Sequence, residues 1–337
     1  CRAEPGAAGR SLAVDWVLRT DRDERAALDA WCWGVGPPVV VAAETDGVAP
    51  AIVSLAVRVG NADVGQGEVS ELIADLRSGR LAGSPVRDFV LLLQEVRRGG
   101  AMVPARAPDW AAAARRRGEA RAGRADVVQI AAAAELHLVY APSMRNGAAG
   151  DGRPAEDRGN AILSTLPLGS PALVELPYER QRRVAVLASI AGRTSTGLAW
   201  SIRLASVHLD PRARFGRIHR SFDKARAHQA RTVADQLANV PAAVVGGDLN
   251  TWAAGSRSPA VRLLRQRFPL PEHPPEDGTI HLPWLLPDLR LDHLFFRLPE
   301  GWAADYRVMA TTYGSDHRPL LGWIRTPAAR AHAARSR

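Results

Sequence analysis

Carboxylates, imidazoles and one carboxamide recur where apolar runs of this chain end: Glu95, His208 with Asp210, Asp248 with Asn250, Asp292, and Asp316 with His317. Glu95 closes the apolar run Asp88 to Val96, where an unpaired charge is costly to bury. A bound cation would explain it, and so would a salt bridge to Arg97 or Arg98. In Val244-Val245-Gly246-Gly247-Asp248-Leu249-Asn250 the two polar side chains sit two apart, so an extended chain turns both to one face. Such a pair can position a water and donate a hydrogen bond to a phosphoryl oxygen. An ordinary Asx turn closing the strand is the alternative. Taken together the set suits metal-assisted hydrolysis of a phosphodiester, which needs a cation on the phosphate, a water held in line and a proton donor for the leaving oxygen. Neither a Gly-x-Ser-x-Gly elbow nor a Walker loop is present.

Strands and helices must bring these residues together. Apolar runs predict strands at Val39 to Ala43, Ala51 to Val59, Asp88 to Val96, Leu136 to Tyr140, Arg182 to Ile190, Trp200 to Leu209, Ala242 to Val245 and Leu291 to Phe296. The Gly192 to Gly197 segment predicts a hairpin between two of them. Helical spacing predicts helices over Asp21 to Trp33, Glu68 to Arg77, Trp110 to Arg121 and Ile218 to Ala238. Ser143 to Asp157 and 251–290 read as irregular loops, the second because of its prolines. Gly246-Gly247 predicts a turn with room for a ligand to approach. Asp316 and His317 can serve one site only on a turn, which Gly314-Ser315 could supply, and His293 should alternate away from Asp292. The pattern is α/β or α+β with large sheets. It divides into a leader at 1–38, a main domain at 39–325 and a basic tail at 326–337.

The chain has 337 residues, 46% apolar, with a net charge of +9. No apolar run is long enough to span a bilayer. A basic surface favours anionic partners such as nucleic acid or phospholipid head groups. All but one of the basic residues are arginine, so genomic composition accounts for the charge equally well. Cys1 resembles the lipidated first residue of a processed bacterial lipoprotein. The expectation is an exported protein, an envelope lipoprotein or secreted, attached to the membrane if Cys1 is lipidated, and a monomer. A disulfide between Cys1 and Cys32 is the competing use of that sulfur.

The order Gln94-Glu95, Arg158-Gly159-Asn160-Ala161-Ile162-Leu163-Ser164, Val207-His208-Leu209, Gly247-Asp248-Leu249-Asn250, Leu291-Asp292-His293 and Ser315-Asp316-His317 resembles the endonuclease/exonuclease/phosphatase (DNase I-like) superfamily. The resemblance runs from about Val39 to Ile324. It implies a four-layer α/β/β/α sandwich and a divalent-metal-dependent phosphodiesterase or nuclease using Mg²⁺ or Mn²⁺. It also implies roles. Glu95 would ligate the metal with Asp316 beside it. Asp248 would orient or activate the attacking water, while Asn250 and Asn160 would contact the substrate. Asp292 would hold the tautomer of a catalytic His317, and His208 would bind the phosphate or protonate the leaving group. The family's first core strand usually ends in an Asn that helps hold the metal. The matching position here reads as Ala56, with Asn61 and Asp63 as nearby substitutes. A weakened member that only binds a phosphorylated ligand or partner, and a phosphomonoesterase, are the alternative readings.

Overall fold

A computed structural model describes residues 14–17, 22–43, 54–63, 67–105, 125–147, 154–178, 181–211, 219–281 and 288–327. The expected Trp110–Arg121 helix, Cys1 and most of the basic tail lie outside them.

Two sheets stack face to face. The seven-stranded sheet is built from β2 (Val39–Val41), β3 (Ser54–Asn61), β4 (Phe89–Gly99), β5 (His137–Gly147), β6 (Glu156–Ser164), β12 (Ala303–Val308) and β13 (Leu320–Arg325), in the order β12-β13-β3-β4-β6-β5-β2. The six-stranded sheet contains β1 (Asp15–Val17), β7 (Gly169–Glu175), β8 (Val184–Arg193), β9 (Ala199–His208), β10 (Ala243–Asp248) and β11 (Asp292–Arg297), in the order β1-β7-β8-β9-β10-β11. β1 comes from the leader and pairs in parallel with β7.

Alternation along each strand divides its side chains between two layers. Leu55, Val57 and Val59 of β3 face Val186, Leu204, Val244 and Phe296 across the central core. On the outer face of the seven-stranded sheet, Leu91 and Leu93 pack on α2 (Val69–Ser78) and α3 (Val127–Ala133). On the other side, Val207 and Val245 pack on α4 (His219–Gln236) and α5 (Pro259–Arg267). This is the four-layer α/β/β/α sandwich. A further helix, α1 (Arg22–Cys32), matches the expected leader helix. Among the described residues no helix is long and apolar enough to cross a membrane.

The helices have local causes. Asp126 caps α3 by accepting from Val128 N and Gln129 N, and Gln129 Oε1 accepts from Asp126 N in return. α2 stops at Gly79, whose φ of 84° suits a residue without a Cβ.

Two expected loops are ordered differently. β5 continues to Gly147 and β6 begins at Glu156, because polar residues at the end of β5 are satisfied in place. Arg145 donates to the carbonyls of Gly34 and Ala105, and Asn146 Nδ2 donates to Glu156 Oε2 at 3.0 Å. The 251–290 segment opens with a 3₁₀ stretch at Trp252–Arg257 and then α5, where Pro259 occupies a first-turn position that needs no N–H.

The glycine pair also has a different use. Gly246 and Gly247 lie inside β10 rather than in a turn. A Cβ on Gly247 would fall 1.8 Å from the Val207 carbonyl oxygen, and one on Gly246 would fall 2.5 Å from Val59 Cγ2. The space is taken by protein, not left for a ligand. Gly247→Ala is expected to destabilise the fold by on the order of 2–3 kcal/mol through overpacking. Gly169→Ala, where the nearest atom is 3.8 Å away, should cost much less. Urea unfolding of the two variants checks the contrast, and equal losses would contradict it.

Candidate active site

Strand register assembles the site. Asp248 of β10 pairs with His208 of β9 on one side and with Asp292 of β11 on the other, so three adjacent strands present their polar residues in one row. In the facing sheet Asn61, the last residue of β3, pairs with Gln94 of β4. The two rows meet where Asn61 Nδ2 donates to Asp248 Oδ2 at 3.0 Å. Two residues before His208 on β9, Ser206 Oγ accepts from Gln94 Nε2 at 2.9 Å and ties the sheets together again.

Ala56 therefore does not lie at the site end of β3. It pairs with Phe89 near the opposite end of β3 and is packed in the outer core. The strand runs on to Asn61, so the residue at its end is an Asn.

Glu95 is not at a strand end. β4 continues to Gly99, and the register with β6 shifts between Leu93 and Val96. Glu95 occupies this bulge with φ 54°. A bulge re-aims one side chain without ending the strand, and here it brings Glu95 Oε1 to 3.9 Å from His208 Nδ1. Arg97 and Arg98 pair instead with Glu156 and Asp157.

Asp248 and Asn250 do form the Asx arrangement, since Asn250 N donates to Asp248 Oδ1 at 2.8 Å and Asn250 has φ 50°. That turn is what brings both into the site. Asn250 Nδ2 donates to Leu209 O at 3.0 Å. Asp248 is 2% exposed. Burial raises its pKa from 3.8 to about 6. The His317 charge and the bonds from Asn250 and Asn61 work against that rise, while Asp292 adds to it.

The two histidines differ in charge. Arg183 Nη1 donates to His208 Nδ1 at 3.2 Å, which leaves the proton on Nε2, 3.5 Å from Asp248 Oδ2. Burial, with help from Arg183, His317 and Arg158, pushes His208 well below the ordinary imidazole value, so it is neutral. His317 Nδ1 donates to Asp292 Oδ2 at 2.6 Å, and its Nε2 lies 3.9 Å from Asp248 Oδ2. Burial lowers the His317 pKa, but the Asp292 carboxylate overrides it and lifts the group to about 10.

The Asp316-His317 pair follows a turn rather than lying on it: Tyr313 and Gly314 have positive φ, Asp316 is in a bend and His317 bridges Ile280. Ser315 Oγ donates to Asn61 O at 2.8 Å and accepts from His317 N at 3.0 Å, hooking the turn to the end of β3. His293 points away from the site to Thr251, 3.2 Å from its Oγ1. Asn160 Nδ2 donates to Val184 O at 2.8 Å, a tie between the sheets next to Arg183.

Sequence reasoning missed Arg183 and Thr279. Arg183 is a cation entering the apolar run Val184 to Ala188, and a buried arginine there was the available signal. Thr279 Oγ1 accepts from the backbone N of Leu291 and Asp292, which fixes Asp292 under His317. It carried no signal in the sequence.

The profile of the endonuclease/exonuclease/phosphatase family matches residues 56–317. The chain belongs to that family. Its members hydrolyse phosphoester bonds and generally depend on a divalent metal ion. In fold the chain is similar to the endonuclease/exonuclease/phosphatase from Beutenbergia cavernae DSM 12333, with 18% identity over 82% of this chain and 72% of that one and a TM-score of 0.55. Sphingomyelinase C from Streptomyces griseocarneus gives 17%, 80%, 99% and 0.46, and humanized D. rerio TDP2 gives 15%, 82%, 100% and 0.46. At these identities the likeness is one of fold alone. No curated protein matches the chain in sequence.

The oxygen donors available for a metal are the Glu95 and Asp316 carboxylates and the Asn61 amide oxygen. Among the described residues no three His, Cys, Asp or Glu side chains cluster as ligands. A set of one or two carboxylates, with water completing the shell, fits a hard cation such as Mg²⁺.

His317 yields a pH prediction. Its folded value of about 10 exceeds the ordinary 6.5, so it adds stability that is whole below about pH 6.5 and is lost as pH rises through about 10. Asp292→Asn should remove most of that dependence. Urea midpoints across the range measure it, and an unchanged slope in the variant would show that Asp292 does not hold the charge.

Proposed function

We propose that the protein is a divalent-metal-dependent phosphodiesterase. The reading rests on one observation above the others: a buried carboxylate, Asp248, stands between a neutral and a charged imidazole and is held by the Asn61 amide. Glu95, Asn61 and Asp316 would hold the metal. When bound, it would offset the charge that builds on the phosphoryl oxygens.

The chain's own residues do the rest. Asp248, with a pKa of about 6, accepts the proton of the attacking water, near the best value for a base at neutral pH. The remaining Asn250 amide N–H, the His208 Nε2–H and the Arg183 guanidinium donate to the phosphate. His317, already protonated, gives its Nε2 proton to the leaving oxygen. His208 is neutral and serves better as a donor of hydrogen bonds than as the acid. A net charge of +9 supports an anionic polymer or a lipid head group as the carrier of the phosphodiester.

Hydrolysis of bis-p-nitrophenyl phosphate tests the reading. It should require Mg²⁺ or Mn²⁺ and fall to background in Asp248→Ala. Hydrolysis indifferent to chelator and mutation would overturn it, and the absence of turnover with any divalent ion would favour a binding role. Arg183→Ala should lower the rate by roughly 10²–10³, the usual loss for one donor to developing charge. Asn61→Ala should raise the metal concentration needed for half-maximal rate, whereas Ala56→Asn should not change it. A metal response to Ala56→Asn alone would restore the first reading of β3.

A further inference from the structure

On β3 the residues Ala56, Arg58 and Gly60 face outward, away from the central core and toward α2. That layer is otherwise apolar, with Leu72, Ile73, Leu91 and Leu93 around it. Arg58 lies inside it and is only 5% exposed. Other buried arginines have evident partners: Arg98 has Asp157, Arg182 has Glu175, and Arg145 has backbone carbonyls. Arg58 has none of these. Among the described residues it forms no ion pair and no hydrogen bond, and its Nε is buried without a partner. Its one contact of this kind is the Tyr313 ring, 5.4 Å from the guanidinium carbon. The Tyr313 hydroxyl is turned elsewhere, donating to Asp75 Oδ2 at 2.9 Å. Burial lowers the Arg58 pKa from 12.5 to about 9, which leaves it charged at neutral pH. A buried cation without a counter-charge is costly.

Arg58 lines a cavity of about 20 Å³ shared with Asn61, Glu68, Val69, Tyr313 and Ser315. A space of this size holds roughly one water-sized atom. The first turn of α2, a helix of 10 residues, ends at the same place, and its N-cap residue Glu68 makes no side-chain capping bond to it. A helix N-terminus favours an anion, and a planar guanidinium suits an oxyanion. Glu68 limits the negative charge the pocket can take.

We propose that this pocket binds a phosphate group, with one oxygen in the cavity between Arg58 and the start of α2 and the remainder at its open mouth. It lies behind Asn61 and Ser315, on the opposite face of β3 from Asp248, and is therefore a second anion site distinct from the catalytic one. The phosphate is either free inorganic phosphate or a monoester group on a larger ligand.

Binding is read by calorimetry without metal or turnover, so the outcome does not depend on the proposed hydrolysis. Inorganic phosphate and phenyl phosphate are titrated into the wild type, Arg58→Met, Arg58→Lys and His317→Ala. The expected result is a phosphate site that His317→Ala leaves in place and that Arg58→Met weakens roughly tenfold or more, the usual value of hydrogen bonds to a charged group. Arg58→Lys should bind at an intermediate level, because it keeps the charge but loses the fork. A site that takes both probes indicates a monoester ligand, and one that takes inorganic phosphate alone indicates the free ion. Arg58→Met should also be at least as stable as the wild type in phosphate-free buffer. No phosphate binding in the wild type, or binding lost in His317→Ala and unchanged in Arg58→Met, would overturn the proposal. If Arg58→Met does not fold, an Arg58→Lys affinity equal to that of the wild type would do the same.

Discussion

A carboxylate sealed between two sheets is the constraint on which this structure depends. Asp248 has almost no access to water, and in such surroundings an isolated charge neutralises itself. Each neighbouring element supplies something that keeps ionisation within reach. β3 ends in an amide donor, the chain after β10 folds back to offer an N–H, and the turn before β13 brings an imidazolium. Remove the alignment of these elements and the carboxylate becomes an ordinary buried acid.

His208 and His317 flank the same carboxylate, yet one is neutral and the other charged. The difference lies in the partner on the far nitrogen, a guanidinium for His208 and a carboxylate for His317. Both partners are themselves positioned, Arg183 at the start of β8 and Asp292 by the Thr279 hydroxyl. Residue type alone therefore does not assign acid, base or donor. Environments that push paired groups apart make the assignment.

Much of this was legible from the chain. Alternating and continuous apolar runs located most of the strands, and polar residues at their ends located His208, Asp248, Asp292 and His317. The four-layer arrangement followed from resemblance and is the one observed. What the chain could not show was register. Asn61 was named only as a substitute for Ala56 because β3 was read as ending at Val59, and nothing local reveals that Asn61 stands opposite Gln94. Glu95 looked like a terminus because a bulge leaves no trace in an apolar pattern. Arg182 and Arg183 read alike, although one is bound to Glu175 and the other turns to His208. The polar stretch around Arg145 looked solvated because its partners are distant in sequence.

The glycines of β10 have a mechanical consequence. Gly246 sits against Val59 of β3 and Leu92 of β4, side chains of the opposing sheet that reach into the space a Cβ would fill. They act as a detent: a bump on one layer seated in a notch on the other. One residue of slippage along a strand is about 3.3 Å, more than the length of the Asn61–Asp248 bond. The notch resists that shear, so the alignment of Asn61 with Asp248 is indexed by a missing methyl group two residues before that carboxylate.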